Sequence, residues 1–96
     1  MVIDATETET LLEGAIRNEI PVSFQYWPAN PEDVDPASPP ARRMVSPYEL
    51  KDGRDGKTLL VCWSHGSDGI RAFDTARIVG VQSEVGIEDY IFPVEA

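Results

Sequence analysis

Cysteine, histidine and positive charge are all scarce in this 96-residue chain. One cysteine, Cys62, allows no disulfide framework within the chain and suits a reducing cytoplasm. Set in an apolar run, it reads as a small core hydrophobe rather than a nucleophile. Cys62 and the single histidine, His65, cannot make a zinc site alone. No metal or cofactor is expected. The phosphate loop G-x-x-x-x-G-K-[ST] and the dinucleotide loop G-x-G-x-x-G are both missing, which removes nucleotide binding by those motifs. Ser64, His65 and Asp68 stand too close along one segment to converge as a triad, because neighbouring strand residues point to opposite faces. With no nucleophile–base pair, the chain reads as a non-enzyme. No apolar run approaches the ~20 residues that cross a bilayer. The opening MVIDATETET has neither the basic n-region nor the apolar stretch of a signal peptide. A cytoplasmic protein without a membrane partner is the expectation.

Acid is what the chain has in excess. Seventeen Asp and Glu stand against eight Lys and Arg, a formal charge of -9. That balance opposes non-specific binding to duplex DNA, which needs a broad basic surface to release counterions. It leaves room for a small basic pocket on one face. The length bounds the chain to one domain with a modest core. Hydrophobic residues make up 42% of it, as in an ordinary globular domain.

TETETLLEGAIRNE reads as an amphipathic helix. Leu11, Leu12, Ala15 and Ile16 share one face, and Ile20 extends it. Thr6 with Glu9, and Thr10 with Glu13, have capping-box spacing. Pro21 stops the helix. VSFQYW, 22–27, alternates as a half-buried strand. The stretch 28–41 holds five prolines and three acids without periodicity, so it is a loop. A loop of that length in so small a domain is mobile or functional. RRMVSPYELK, 42–51, reads as a second strand, with Pro47 imposing an edge or a bend. DGRDG is a turn, KTLLVCWSH, 57–65, a central strand, and GSDG a hairpin turn. IRAFDTARIVGVQSE continues in strand residues with a break at DTA. Ile87, Tyr90, Ile91 and Phe92 are available for packing near the end. The expected architecture is mainly β with one N-terminal helix: a five-stranded antiparallel barrel of the SH3-like or Sm-like kind, closed so that no edge is exposed. Residues 1–10 form a tail and helix start, 11–92 the domain and 93–96 a tail. A homodimer suits a small β domain with edges to cover.

The candidate chemistry lies in arginines. Arg71 and Phe73 share strand parity and so one face. If DTA turns the chain, Arg77 approaches that face again. Guanidinium forks recognise phosphates and carboxylates bidentately, and an aromatic beside them offers a stacking surface. On spacing alone, ordinary ion pairs with the many acids are the better explanation of the same arginines.

The ordered set FQY, RMVSP..L, LLVCWSH and IRAFDTARI resembles the WYL domain, a bacterial and phage module with an Sm-like, SH3-type barrel. The resemblance covers roughly residues 11–92. Tyr26 matches the tyrosine ending the first strand. Arg43, Pro47 and Leu50 match R-x-x-x-P-x-x-L. Leu60, Trp63 and His65 match the third-strand segment, and Arg71, Phe73, Arg77 and Ile78 match R-x-F-x-x-x-R-I. The eponymous tripeptide stands here as Thr58-Leu59-Leu60, and Ser67 replaces a basic residue of many members. WYL domains usually follow a helix-turn-helix domain in transcription regulators, and 96 residues leave no room for one, so the chain reads as a standalone protein or an excised domain, with Met1 favouring a natural start. The resemblance implies a sensing module for single-stranded nucleic acid or a nucleotide-like anion. Arg43, Arg71 and Arg77 would contact the ligand, with Tyr26, Trp63 and His65 shaping or stacking the site. The alternative is a protein-interaction module of a phage or bacterium that regulates a partner protein.

Overall fold

The amphipathic N-terminal segment folds as helix α1, Ala5–Asn18, in a computed structural model that describes residues 5–28, 37, 40–86 and 89–93. Leu12 and Ala15 are buried, and Ile16 and Ile20 pack partly beside them. Leu11, expected on the same face, is half exposed. Thr6 and Thr10 both lie inside the helix, so neither capping spacing marks its start. The C-terminus closes before Pro21 is reached. Ile20 N–H donates to the Ala15 carbonyl and Glu19 N–H to the Ile16 carbonyl, with Glu19 at φ 56. This is a Schellman ending, with a glutamate where glycine is usual.

Five strands follow: β1 Val22–Tyr26, β2 Arg42–Asp52, β3 Thr58–Ser64, β4 Gly69–Asp74 and β5 Ile78–Ser83. They form one antiparallel sheet in the order β4-β3-β2-β1-β5. The expected closed barrel does not form. β4 and β5 occupy opposite edges, and the short 3-10 turn Thr75–Arg77 carries the chain from one to the other without a ladder between them. α1 packs on β2, β5 and that turn. The mainly-β class with one helix stands.

Side-chain alternation splits the sheet into two faces. Val22, Phe24, Val45, Leu60, Cys62, Phe73 and Ile78 turn inward against Leu12 and Ala15 and make the core. The outer face carries Arg42, Met44, Ser46, Trp63 and Ile70, by their alternation and pairing with one another across the ladders. Pro47 lies in a central strand, not at an edge. It is tolerated because the register slips between Pro47 and Glu49, leaving Tyr48 as the extra residue of a bulge.

Residues 89–93 lie over the outer face of β2. Ile91 N–H donates to Ser46 Oγ at 2.9 Å, Tyr48 OH to the Ile91 carbonyl at 2.6 Å, and Tyr90 OH to the Pro47 carbonyl at 2.6 Å. Ile91 is half-buried there, whereas Phe92 is mostly exposed. Most of the proline-rich stretch 28–41, and Ile87, fall outside the described residues.

Candidate anion-binding site

The turn after β4 is what presents Arg77. Asp74 caps it by accepting the Ala76 N–H on Oδ1 at 3.0 Å. Buried Thr75 anchors it through a hydrogen bond to the Thr58 carbonyl at 3.1 Å. DTAR is therefore a built corner, not an interrupted strand. Arg77 then reaches back to the end of β1. Its Nε donates to the Trp27 carbonyl at 2.6 Å, while Trp27 N–H donates to the Arg77 carbonyl at 2.9 Å. This exchange holds the guanidinium 4.3 Å from the centre of the Tyr26 ring.

Arg43 approaches the same ring from β2. It pairs with Phe24 in the register and shares the inner face with Val45. Its Cζ lies 5.9 Å from the Tyr26 centroid and 5.7 Å from that of Phe73. Tyr26 is itself fixed on three sides. Its hydroxyl accepts the Asp74 N–H at 2.9 Å, and its ring meets Phe73 edge-on at 4.7 Å and Phe24 at 6.5 Å. Phe73 is only 5% exposed, which makes it core rather than a platform for a base. A ring gathering two cations stabilises each by about 0.5–1 kcal/mol at a partly exposed position. It also brings two like charges into one place.

Beside this cluster an open cleft of about 520 Å³ lies between the start of β2 and the β3–β4 turn. Arg42 and Arg43 line one side, and Ser64, His65 and Ser67 the other. Arg42 is committed to protein acceptors: Ser23 Oγ, the Ser23 carbonyl and the Gly80 carbonyl. Among the described residues Arg43 is held to no such acceptor. His65 Nε2 lies 2.7 Å from Ser46 Oγ, and Ser67 Oγ donates to Ser64 Oγ at 2.9 Å. Among the described residues the salt bridge is Lys57–Asp74, at 3.9 Å. Arg43, Arg71 and Arg77 pair with no carboxylate there, so the ion-pair explanation of these arginines does not hold among the described residues.

The structure thus brings Tyr26, Arg43 and Arg77 together and places Arg43 and His65 on one cleft. The β3–β4 register keeps Arg71 on the face of Phe73, as parity requires. Arg71 stands on the edge strand, however, and its Nη1 donates to the Ile70 carbonyl at 2.8 Å rather than joining the Tyr26 cluster. Trp63 is on the outer face, paired with Ser46 and Ile70, and its Nε1 is buried without a protein acceptor. Asp74 and Ser46 are the contributors that sequence reasoning missed. Asp74 could have been found as a cap two residues before Ala76; Ser46 gave no signal, because its partners come from distant segments. Burial pushes the Cys62 thiol up to about 12, which leaves it protonated and unreactive near neutrality.

No three His, Cys, Asp or Glu side chains gather as a metal site among the described residues. No helix among them is long and apolar enough to cross a membrane. No curated protein matches the chain. Among solved structures it is similar to Proteasome accessory factor B/C (PafBC) of Arthrobacter aurescens, at 16% identity and a TM-score of 0.73. That likeness covers 88% of this chain and 12% of the other, so the shared part is the fold of one segment of a much longer protein. The family model of the WYL domain matches residues 7–83, from within α1 to the end of β5. The chain belongs to the WYL domain family.

Proposed function

We propose that this chain is a non-enzymatic sensing module that binds an anion, either single-stranded nucleic acid or a nucleotide-like molecule, at the cleft beside Tyr26. Arg43 and Arg77 supply the charge. His65 lines the cleft, whereas Arg71 on the edge strand and Trp63 on the outer face are not among its lining residues and have the lesser part. One observation carries the reading. In a chain of net charge -9, two guanidinium groups converge on one ring with no carboxylate partner among the described residues. Such forks retain donors for phosphate or carboxylate. Membership of a family of regulatory sensing domains supports a binding role, and the similar solved structure is named as an accessory factor.

The test is fluorescence anisotropy with labelled six-nucleotide single-stranded DNA and RNA at low salt. Charge-assisted hydrogen bonds contribute about 1.5–3 kcal/mol each. Arg43→Ala and Arg77→Ala should therefore each weaken binding by about tenfold or more, and Arg71→Ala by less. Absence of binding at low salt, or affinity unchanged in the Arg43→Ala, Arg77→Ala double variant, refutes the reading.

A further inference from the structure

The β3–β4 turn walls the cleft opposite Arg43. Ser64 ends β3 and is only 4% exposed, while Ser67 stands exposed in the turn. Their hydroxyls lie 2.9 Å apart. Two hydroxyls carry two hydrogens, and one bond between them uses one. Whichever donates, the other hydrogen is left over, and neither hydroxyl has a further protein partner among the described residues.

The backbone adds donors of its own. Among the described residues the N–H groups of Gly66 and Ser67 have no protein acceptor, whereas the His65 N–H is taken by the Met44 carbonyl at 3.0 Å. A Cβ at Gly66 would meet nothing within 4 Å, so this stretch of backbone is open to approach. Asp68 closes the turn at φ 48, in the left-handed region, and is not among the residues that line the cleft. Successive N–H groups in a turn of this kind make a concavity that suits an anion. The Arg43 guanidinium faces these donors from β2.

This donor set exceeds what an internal nucleic-acid phosphate uses. A phosphodiester presents two free oxygens and a single negative charge. A phosphomonoester presents three and carries roughly −2 at pH 7. A fork on one wall and a turn on the other can reach three oxygens together. The cleft offers a base much less. Among the described residues no Phe, Tyr or Trp lines it, and those are the rings on which bases stack.

We propose that the β3–β4 turn is a seat for a phosphomonoester end, on a strand or on a single nucleotide, read without regard to its base. The proposal rests on the anion-binding reading of the cleft and narrows it to one chemical group. It gives Ser64, Gly66 and Ser67 the part of holding the terminal oxygens, with Arg43 facing them.

The test is fluorescence anisotropy on the whole chain with 3′-labelled dT6, with and without a 5′-phosphate, and the same pair on dA6. The 5′-phosphate should tighten binding by about tenfold or more, because it adds at least one charge-assisted hydrogen bond. The gain should be equal on dT6 and dA6. Ser67→Ala, at an exposed position, should cut that gain by about threefold. Competition separates the two sources of the group. Displacement by thymidine 5′-monophosphate but not by thymidine supports the seat for a free nucleotide, and displacement by phosphorylated strands alone supports it for a strand end. Equal affinity with and without the 5′-phosphate overturns the seat and leaves the anion-binding reading standing. So does a preference between dT6 and dA6 larger than the effect of the phosphate. An undiminished gain in Ser67→Ala overturns the assignment to this turn. Failure of every strand to bind overturns the anion-binding reading and the seat with it.

Discussion

Tyr26 holds the candidate site together, and two substitutions separate its parts. Tyr26→Phe removes only the hydroxyl that accepts the Asp74 N–H at 2.9 Å. Asp74 is half-buried, so water compensates in part and the loss is about 1 kcal/mol. In a domain of this size that lowers Tm by about 4–8 °C. Tyr26→Leu removes the ring as well. The edge contacts to Phe73 and Phe24 add roughly 1–2 kcal/mol. The seats of Arg77 and Arg43 add about 0.5–1 kcal/mol each. The total loss is about 3–5 kcal/mol, a large share of the ~5–15 kcal/mol that typically holds a domain together. Urea titration followed by tryptophan fluorescence measures both, since Trp27 adjoins the substituted residue. The phenylalanine variant should also keep the probe affinity of the parent, whereas the leucine variant should lose it because its arginines are no longer positioned. If the two variants are equally stable and bind alike, the ring does not organise the arginines and the reasoning fails.

Three other outcomes follow from local features. Glu19→Gly should stabilise the chain by about 1 kcal/mol in urea, because glycine adopts the positive φ of the helix ending without a Cβ penalty; a loss of stability would show that the glutamate side chain matters more than the backbone. Gly80→Ala should cost about 1–2 kcal/mol, since its φ is +68 and a Cβ would stand 3.3 Å from Arg42 Nη1; an unchanged melting curve would deny that close approach. Burial raises Cys62 to about 12, as it does Tyr90. The unfolded thiol ionises first, so stability is complete below about pH 8.5 and falls as pH rises toward 12, by up to about 1.4 kcal/mol per unit for Cys62 alone. Cys62→Ala should flatten that slope, and native Cys62 should resist iodoacetamide at pH 8 until urea unfolds the chain.

Strand alternation made the sheet legible. Val22, Phe24 and Tyr26 were placed on one face by parity, and the structure keeps them there. The turns at DGRDG and GSDG, the corner at DTA and the amphipathic helix were equally readable, because each depends on residues within a few positions. Closure was not. Whether β4 meets β5 depends on the twist summed over the whole sheet and on how α1 fills the inner face, and no short segment encodes either. The site divided along the same line. Arg77 was placed near the face of Arg71 by the turn at DTA. Its true neighbour, Tyr26, lies 51 residues upstream by number and meets it only because β1 pairs with β5. Pro47 was read as an edge or a bend; the strand is central and carries a bulge there, and the segment alone did not choose between the two because the bulge is created by pairing with β3.

The strand order also sets when this chain can fold during its synthesis. The β2–β3–β4 meander pairs neighbours in sequence and can form as soon as residue 74 is free of the ribosome. β1 has its inner partner by then, but its other edge waits for β5, with Val22 facing Ser83. Until those last residues emerge, one side of β1 is an unpaired edge and α1 lacks part of the surface it covers. Long-range pairing of this kind slows folding relative to local hairpins. A nascent chain stalled between residues 74 and 83 would therefore hold a formed meander beside an exposed strand, the state most open to capture by another chain.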